Sequence, residues 1–213
     1  GETMTVAQVI DKVEEDSSFY SRSGGGLTIS GGEPMHQVEF AVSLLKEAKR
    51  HRINTAMETC GFCQWEDLRD ACGFLDTLLY DVKSMDPEKH RVFTGISNEL
   101  ILENLQRVRE AFPDLPVWVR TPVVPGFNDD PKDIRQILEH IHRMPNTYFE
   151  ALDYHRMGKP KYEYLGLEFP MGDQKLDEEK IQRIHQMIRS EFPHLRSPGS
   201  AENGSFQTAA SQG

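Results

Sequence analysis

Apolar residues recur along this 213-residue chain with two different spacings, one typical of helices and one typical of strands. The helical spacing, with apolar residues at i, i+3 and i+4, predicts six helices. These predicted helices are Val6–Glu15, Val38–His51, Trp65–Ala71, Glu99–Ala111, Pro131–His142 and Glu178–Ser190. Short runs rich in β-branched and aromatic residues lie between them and predict five strands. The predicted strands are Leu27–Ser30, Asn54–Glu58, Thr77–Val82, Val117–Val123 and Tyr148–Tyr154.

Strands that alternate with helices of this length indicate βα units and a parallel sheet. Five strands are too few for a complete eight-stranded barrel, which takes about 250 residues. The pattern therefore predicts an α/β fold built as a partial barrel or an open sheet. The last stretch, SPGSAENGSFQTAASQG, has too little apolar surface to offset the entropy lost on ordering it. We therefore predict one folded domain over residues 1–196 and a disordered tail over residues 197–213.

Charge and cysteine content narrow the classes of function. The net charge of −10 at pH 7 argues against a nucleic-acid groove or an anionic membrane surface as the main partner. No apolar run approaches the roughly 18 residues of a membrane span, and no export signal is recognisable. With only three cysteines and no such signal, the chain is expected to work in a reduced, cytoplasmic setting.

Polar residues follow or end every predicted strand, and in parallel βα folds these carboxyl ends share one rim. The residues are Gly31, Gly32 and Glu33 after the first strand, Glu58 and Thr59 at the second, Asp81, Val82 and Lys83 at the third, Arg120 on the fourth and His155 after the fifth. Because all five strands supply such groups, we predict a binding site at this rim. Taken alone, His155 is better explained as a loop histidine without a role.

The stretch SGGGLTISGGEP places Glu33 directly after Gly31 and Gly32. Glycines let the backbone approach a ligand closely, although a tight strand–helix turn would also use them. A phosphate cradle is disfavoured, because the Lys-Ser/Thr pair of a P-loop is absent and Glu33 would repel a phosphate. A carboxylate beside exposed backbone carbonyls suits a cation, so the loop favours a ligand with an ammonium or sulfonium group.

Asp81 and Lys83 are two residues apart on a predicted strand, so their side chains face the same side. One interpretation is a surface ion pair, which contributes only ~0–1 kcal/mol to stability. The other is a ligand site, in which the acid accepts from sugar hydroxyls and the lysine donates to the same ligand. The apolar strand that precedes the pair favours the ligand site.

The three cysteines, Cys60, Cys63 and Cys72, lack the spacing of known metal sites. A zinc ribbon needs a second close pair, and a four-thiolate cluster needs four ligands. We therefore predict no metal at these residues, and we expect Cys72 to pack in or just after its helix.

Five stretches together resemble the glycyl-radical-enzyme activating enzymes, which form the pyruvate formate-lyase activating enzyme family of the radical S-adenosylmethionine superfamily. The stretches are SGGGLTISGGEP, ETCG, YDVKSMDPEKHRVFTGISNELILENL, TPVVPGFNDD and DYHRMGKPKYEYLG. The resemblance runs in order from about Met4 to Phe192, nearly all of the predicted domain. Together these motifs are far more specific than any one of them.

The resemblance implies a partial (β/α)6-type barrel with S-adenosylmethionine lying across the strand ends. It implies that the methionine amino group lies near Gly31, Gly32 and Glu33, and that the ribose and the carboxylate lie near Asp81, Val82 and Lys83. The carboxylate would also lie near Arg120, and the adenosine part near His155. Glu58 and Thr59 would hold a monovalent cation.

The chemistry implied is that of a radical-generating oxidoreductase. A reduced [4Fe–4S] cluster cleaves S-adenosylmethionine to a 5′-deoxyadenosyl radical, which removes a hydrogen atom from a glycine of a partner glycyl radical enzyme. An electron donor such as flavodoxin or ferredoxin is a further implied partner. In such enzymes the cofactor carries the difficult chemistry and the protein positions it.

One part of the family pattern does not occur in this chain. The cluster of the family is held by a Cys-x3-Cys-x2-Cys loop, which would precede Gly1, and the first barrel strand is missing as well. We therefore expect an N-terminally truncated fragment that is inactive alone and holds no stoichiometric iron after anaerobic reconstitution. The alternatives are a non-catalytic barrel that binds S-adenosylmethionine or docks on a partner, and an unrelated sugar-phosphate enzyme with Glu58 or Glu33 as general base.

Overall fold

The computed structural model describes residues 2–153, 164, 166 and 175–196, and it contains one five-stranded sheet. The strands are β1 (Gly26–Ile29), β2 (Asn54–Thr59), β3 (Thr77–Asp81), β4 (Val117–Val123) and β5 (Thr147–Asp153). Each strand pairs in parallel with the next one along the chain. All five predicted strands are confirmed, with boundaries that differ by one residue at most at either end.

In the parts of the chain that the structure describes, the helices with defined bounds include all six that were predicted and two that were not. They are α1 (Val6–Glu14), α2 (Ser17–Ser23), α3 (Val38–Arg50), α4 (Trp65–Cys72), α5 (Pro87–Thr94), α6 (Glu99–Ala111), α7 (Pro131–Ile141) and α8 (Glu178–Glu191). Two short 3₁₀ turns lie at Pro34–Gln37 and Pro193–Leu195. The helices that the spacing of apolar residues did not predict are α2 and α5.

The strand order in the sheet follows the order of the chain. Because crossovers between parallel strands are right-handed, a sheet that grows in one direction carries its connecting helices on one face. Neighbouring helices accordingly pack on each other, α3 on α4, α4 on α6 and α7 on α8. This is the arrangement of a (β/α) barrel wall, and it confirms the predicted α/β partial barrel.

Alternation along the strands gives the sheet two different faces. The face toward the helices carries the core, including Leu78, Tyr80, Val117 and Val119, all fully buried. The opposite face carries half-buried residues, and we call it the open face. Its residues include Ala56, Glu58, Leu79, Asp81, Trp118, Arg120, Pro122, Tyr148 and Glu150. The charged residues Glu58, Asp81, Arg120 and Glu150 therefore lie on the open face, near the carboxyl edge of the sheet.

Some predictions fall outside the described residues. His155 and the predicted tail over residues 197–213 lie there, so the boundary of the folded domain stays a prediction. Within the described ranges, none of the helices has both the length and the apolar character needed to cross a lipid bilayer.

Candidate ligand site at the carboxyl ends of the strands

Arg120 lies at the centre of the charged part of the open face. The register of the sheet pairs it with Asp81 on β3 and with Glu150 on β5. Its Nη1 atom is 3.1 Å from Glu58 Oε1, and its Nε atom is 3.5 Å from Glu150 Oε2. The buried Nε atom makes no hydrogen bond within the described residues, despite this proximity to Glu150. Arg120 is thus held between two carboxylates, and its buried Nε–H has no acceptor among the described residues.

Asp81 and Lys83 lie on the same side, as predicted, with Lys83 Nζ 3.1 Å from Asp81 Oδ2. The other carboxylate oxygen, Asp81 Oδ1, is buried and has no hydrogen-bond partner among the described residues. A buried acceptor without a donor is unfavourable, and native structures rarely leave one unexplained. Asp81 therefore carries an acceptor, at the end of a buried strand, that the described residues leave unsatisfied.

The loop after β1 leaves space around its backbone. Gly31 has φ +117°, a conformation that residues with a side chain rarely adopt, and no described residue lies within 4 Å of a Cβ placed there. Gly32 is equally free of neighbours, and both glycines are exposed. These two glycines keep the rim open beside the end of β1, so a ligand has room to approach the backbone.

Glu33 has a role inside the protein that the sequence did not predict. Its carboxylate accepts hydrogen bonds from Thr59 Oγ1 at 2.6 Å, Cys60 N at 2.9 Å and Met35 N at 3.2 Å. Burial by itself raises the pKa of Glu33, but these hydrogen bonds outweigh burial and hold the pKa below its usual value. Glu33 therefore ties the β1 loop to the end of β2 as a carboxylate.

The predicted role of Glu33 as an acceptor for a ligand cation stays a prediction. A carboxylate has about four acceptor positions, and the bonds to Thr59, Cys60 and Met35 occupy three of them. Its negative charge still lies at the rim, next to the two open glycines.

Glu58 and Thr59, the predicted monovalent-cation residues, point to opposite faces of the sheet. The Glu58 carboxylate pairs with Arg120 on the open face. The Thr59 hydroxyl is buried on the helix side, where it donates to Glu33 and accepts from Gly61 N at 3.0 Å. The structure does not bring these two side chains together, so a shared cation site stays a prediction.

The loop after β2 is fixed by contacts that sequence reasoning missed. Gly61 has φ +69°, and a Cβ there would lie inside the van der Waals surface of the Tyr80 ring. Asn104, a buried residue of α6, donates to the carbonyl oxygens of Gly61 at 2.8 Å and Cys63 at 2.9 Å. A glycine after the end of a strand was the only local signal, and neither contact is visible from spacing alone.

S-adenosylmethionine, which the resemblance implies, carries ribose hydroxyls, an ammonium group and a carboxylate. The carboxyl ends of β1 and β3 offer a counterpart to each. These are the Asp81 Oδ1 atom, which no described residue bonds, the open backbone at Gly31 and Gly32, and the Lys83 ammonium. The described residues therefore fit this ligand.

The described residues do not fit a [4Fe–4S] cluster. In the ranges that the structure covers, no group of three or more His, Cys, Asp or Glu side chains is arranged to hold a metal ion. Burial raises the pKa of Cys60 to about 11 and the pKa of Cys63 and Cys72 to about 12. Cys72 ends α4 and is buried, as expected.

Comparison with known proteins places the chain in a family. The model of the radical SAM superfamily matches residues 1–141. The chain is 52% identical over 190 residues to the (2S)-3-sulfopropanediol sulfolyase activating enzyme of Bilophila wadsworthia, a match that covers 89% of this chain and 63% of that protein. It is 48% identical over 188 residues to the isethionate sulfite-lyase activating enzyme of Nitratidesulfovibrio vulgaris, covering 88% and 61%. The chain spans about three fifths of the length of these curated relatives.

A solved structure agrees with this assignment. The fold is similar to that of a domain of pyruvate-formate lyase-activating enzyme from Bacteroides vulgatus, with a TM-score of 0.62 and 32% sequence identity. The match covers 78% of this chain and 93% of that one. The superfamily uses S-adenosylmethionine and a [4Fe–4S] cluster. The chain therefore belongs to the glycyl-radical-enzyme activating enzymes of the radical S-adenosylmethionine superfamily.

Proposed function

We propose that this chain provides the part of an activating enzyme that binds S-adenosylmethionine, and that the whole enzyme generates the radical of a partner glycyl radical enzyme. The observation that carries this proposal is the buried Oδ1 atom of Asp81, which has no hydrogen-bond partner among the described residues and lies beside Lys83 at the rim of the barrel wall. An acceptor left open at the end of a strand is what a ribose hydroxyl requires.

The residues act by holding the ligand. Asp81 accepts from a ribose hydroxyl, and Lys83 neutralises the methionine carboxylate. The backbone at Gly31 and Gly32 accepts from the ammonium group, and the Glu33 carboxylate adds negative potential there. When bound, S-adenosylmethionine supplies the hydrogen-abstracting chemistry of the superfamily. The remaining predicted contacts are Arg120 with the carboxylate, His155 with the adenosine part, and Glu58 and Thr59 with a monovalent cation.

The partner is a glycyl radical enzyme that acts on a sulfonate. The two relatives reported above are named for a sulfolyase and a sulfite-lyase, which supports a partner of that class. Purified chain is expected to co-elute in size-exclusion chromatography with an unactivated sulfolyase and not with pyruvate formate-lyase. Co-elution with pyruvate formate-lyase alone would contradict the choice of partner.

The electron donor, flavodoxin or ferredoxin, and the cytoplasmic location stay predictions from the sequence.

The proposed ligand is tested by isothermal titration calorimetry. S-adenosylmethionine titrated into the chain is expected to give saturable one-to-one binding, because the unpaired acceptor and the lysine match its ribose and carboxylate. Ribose 5-phosphate is expected to give none, since Glu33 and Asp81 repel a phosphate at the same rim.

The opposite result would favour another function. Binding of ribose 5-phosphate without binding of S-adenosylmethionine would support the sugar-phosphate enzyme and overturn the proposal. A non-catalytic barrel that only binds S-adenosylmethionine gives the same titration. The two are separated with the whole protein, because a whole activating enzyme generates a glycyl radical on its partner, which electron paramagnetic resonance detects, and a non-catalytic protein does not.

A further inference from the structure

We infer that Thr121, Asn128 and Asn98 are positioning residues that hold the backbone after β3 so that Asp81 and Lys83 present their side chains to the ligand. The inference deepens the proposed function and rests on it. It gives a role to two motifs that the proposed site leaves unexplained, TPVVPGFNDD and the SNEL part of the segment after β3.

The segment after β3 lacks strand partners for its carbonyl groups. β3 ends at Asp81, and Val82 N still donates to Arg120 O at 3.0 Å. Beyond that point the chain leaves the ladder, and three consecutive carbonyls need donors from elsewhere. Buried carbonyls without donors are costly, so this segment depends on whatever supplies them.

Three side chains supply these donors, one for each carbonyl. Thr121 Oγ1 donates to the Val82 oxygen at 2.6 Å, Asn128 Nδ2 to the Lys83 oxygen at 2.8 Å, and Asn98 Nδ2 to the Ser84 oxygen at 2.7 Å. All three donors are at most 2% exposed. Water therefore does not compete for these bonds, and the path of the backbone through the segment is defined by them.

Asn128 also fixes the loop from which it acts. Its Nδ2 atom donates to the Pro122 oxygen at 2.9 Å, and its Oδ1 atom accepts from Val124 N at 2.7 Å. Both amide hydrogens and the carbonyl oxygen are thus used within the protein. Because Asn128 bonds to the backbone at the ends of both strands, it fixes the distance between the ends of β3 and β4. A displacement of one strand end is therefore expected to displace the other.

These bonds hold the ion pair of Asp81 and Lys83 in place before a ligand binds. Asp81 directly precedes the held segment and Lys83 lies within it, and their side chains are 3.1 Å apart. Groups that bind a ligand lose less entropy when their supporting backbone is already ordered. Weakening one carbonyl bond should therefore lower ligand affinity without removing any group that touches the ligand.

Thr121→Val tests this inference, because valine keeps the shape of threonine and removes only the donor. We expect the Kd for S-adenosylmethionine to rise about fivefold to tenfold, the loss of roughly one hydrogen bond. Amide hydrogen exchange at Val82 to Met85 should become faster at the same time. Calorimetry and mass-spectrometric exchange on the full chain measure the two effects.

Two matched variants separate positioning from general stability. Thr147→Val removes the same kind of bond, from Thr147 Oγ1 to the Pro145 oxygen at 2.9 Å, at the far end of the sheet. It should lower the melting temperature as Thr121→Val does and leave the Kd within twofold of wild type. Thr121→Ser keeps the hydroxyl and should restore the affinity.

The outcomes distinguish this inference from the proposed function. If wild-type chain binds and Thr121→Val binds equally well, the positioning role is overturned and the proposed function stands. If Thr147→Val weakens binding as much as Thr121→Val, the effect is general stability and the positioning role is again overturned. If wild-type chain does not bind S-adenosylmethionine at all, the proposed function fails and this inference fails with it.

Discussion

Gly61→Ala is expected to lower the free energy of unfolding of this fold by about 2–5 kcal/mol. The glycine has φ +69°, a conformation that costs an L-residue about 1–2 kcal/mol. A Cβ there would overlap the ring of Tyr80, which is fully buried and donates to the Ile101 oxygen at 2.7 Å. The ring cannot move aside without breaking that bond, and overpacking a core costs about 1–3 kcal/mol more. Domains are stable by only about 5–15 kcal/mol in total.

Urea unfolding followed by circular dichroism measures this loss, and Gly95→Ala is the matched control. Gly95 also has a positive φ, +86°, but nothing lies within 4 Å of a Cβ placed there. The loss of unfolding free energy in Gly95→Ala therefore measures the cost of the left-handed backbone alone. The additional loss in Gly61→Ala measures the cost of the overlap with Tyr80. Equal losses in the two variants would contradict the predicted collision.

The contact of Gly61 with Tyr80 shows where sequence reasoning stops. The helix Glu99–Ala111 was predicted with the bounds it has, because its apolar residues repeat with helical spacing and face the core. That signal is local. Gly61 and Tyr80 meet only because β2 and β3 are neighbours in the sheet and the chain turns immediately after β2. No local pattern contains that information.

The helix α5 was not predicted, although its boundaries carry typical capping residues. α5 has little apolar periodicity, yet Asp86 caps it by accepting from Glu88 N and Lys89 N, Pro87 begins it and Gly95 follows it with a positive φ. An N-cap acid, a proline in the first turn and a terminal glycine are typical helix boundaries. Capping residues would have predicted α5. The serine-rich α2 ends at Gly24, which has φ +70°, but Asp16 before it makes no side-chain cap, so only its C-terminal boundary carries such a signal.

The candidate site also has features that the sequence predicts and features that it does not. That polar groups end neighbouring parallel strands was predictable, because parallel strands deliver their carboxyl ends to one edge. The alternation of strands likewise predicted that Asp81 and Lys83 share a side. The bonds of Glu33 inside the protein and the support from Thr121 and Asn128 were not predictable, because each depends on the distance between loops of different strands.

Asp81→Asn is expected to weaken binding of S-adenosylmethionine about tenfold to a hundredfold. Asparagine has one oxygen where aspartate has two, and both oxygens have a task in the proposed site. If the amide nitrogen faces Lys83, a donor meets a donor and the ion pair at 3.1 Å is lost. If the amide nitrogen faces the ligand, the ribose hydroxyl loses its acceptor. A hydrogen bond to a charged group contributes about 1.5–3 kcal/mol, which corresponds to this range of affinity.

Asp133→Asn is the control, because it breaks a comparable pair away from the ligand. Asp133 Oδ2 is 2.7 Å from Lys89 Nζ, and the side chains of that pair are 17% and 29% exposed, against 21% and 28% for Asp81 and Lys83. Loss of either pair should lower the melting temperature by a similar amount, whereas only Asp81→Asn should change the calorimetric Kd. Unchanged affinity in Asp81→Asn would mean that its unpaired oxygen does not face the ligand, and the proposed site would then lose the observation on which it depends.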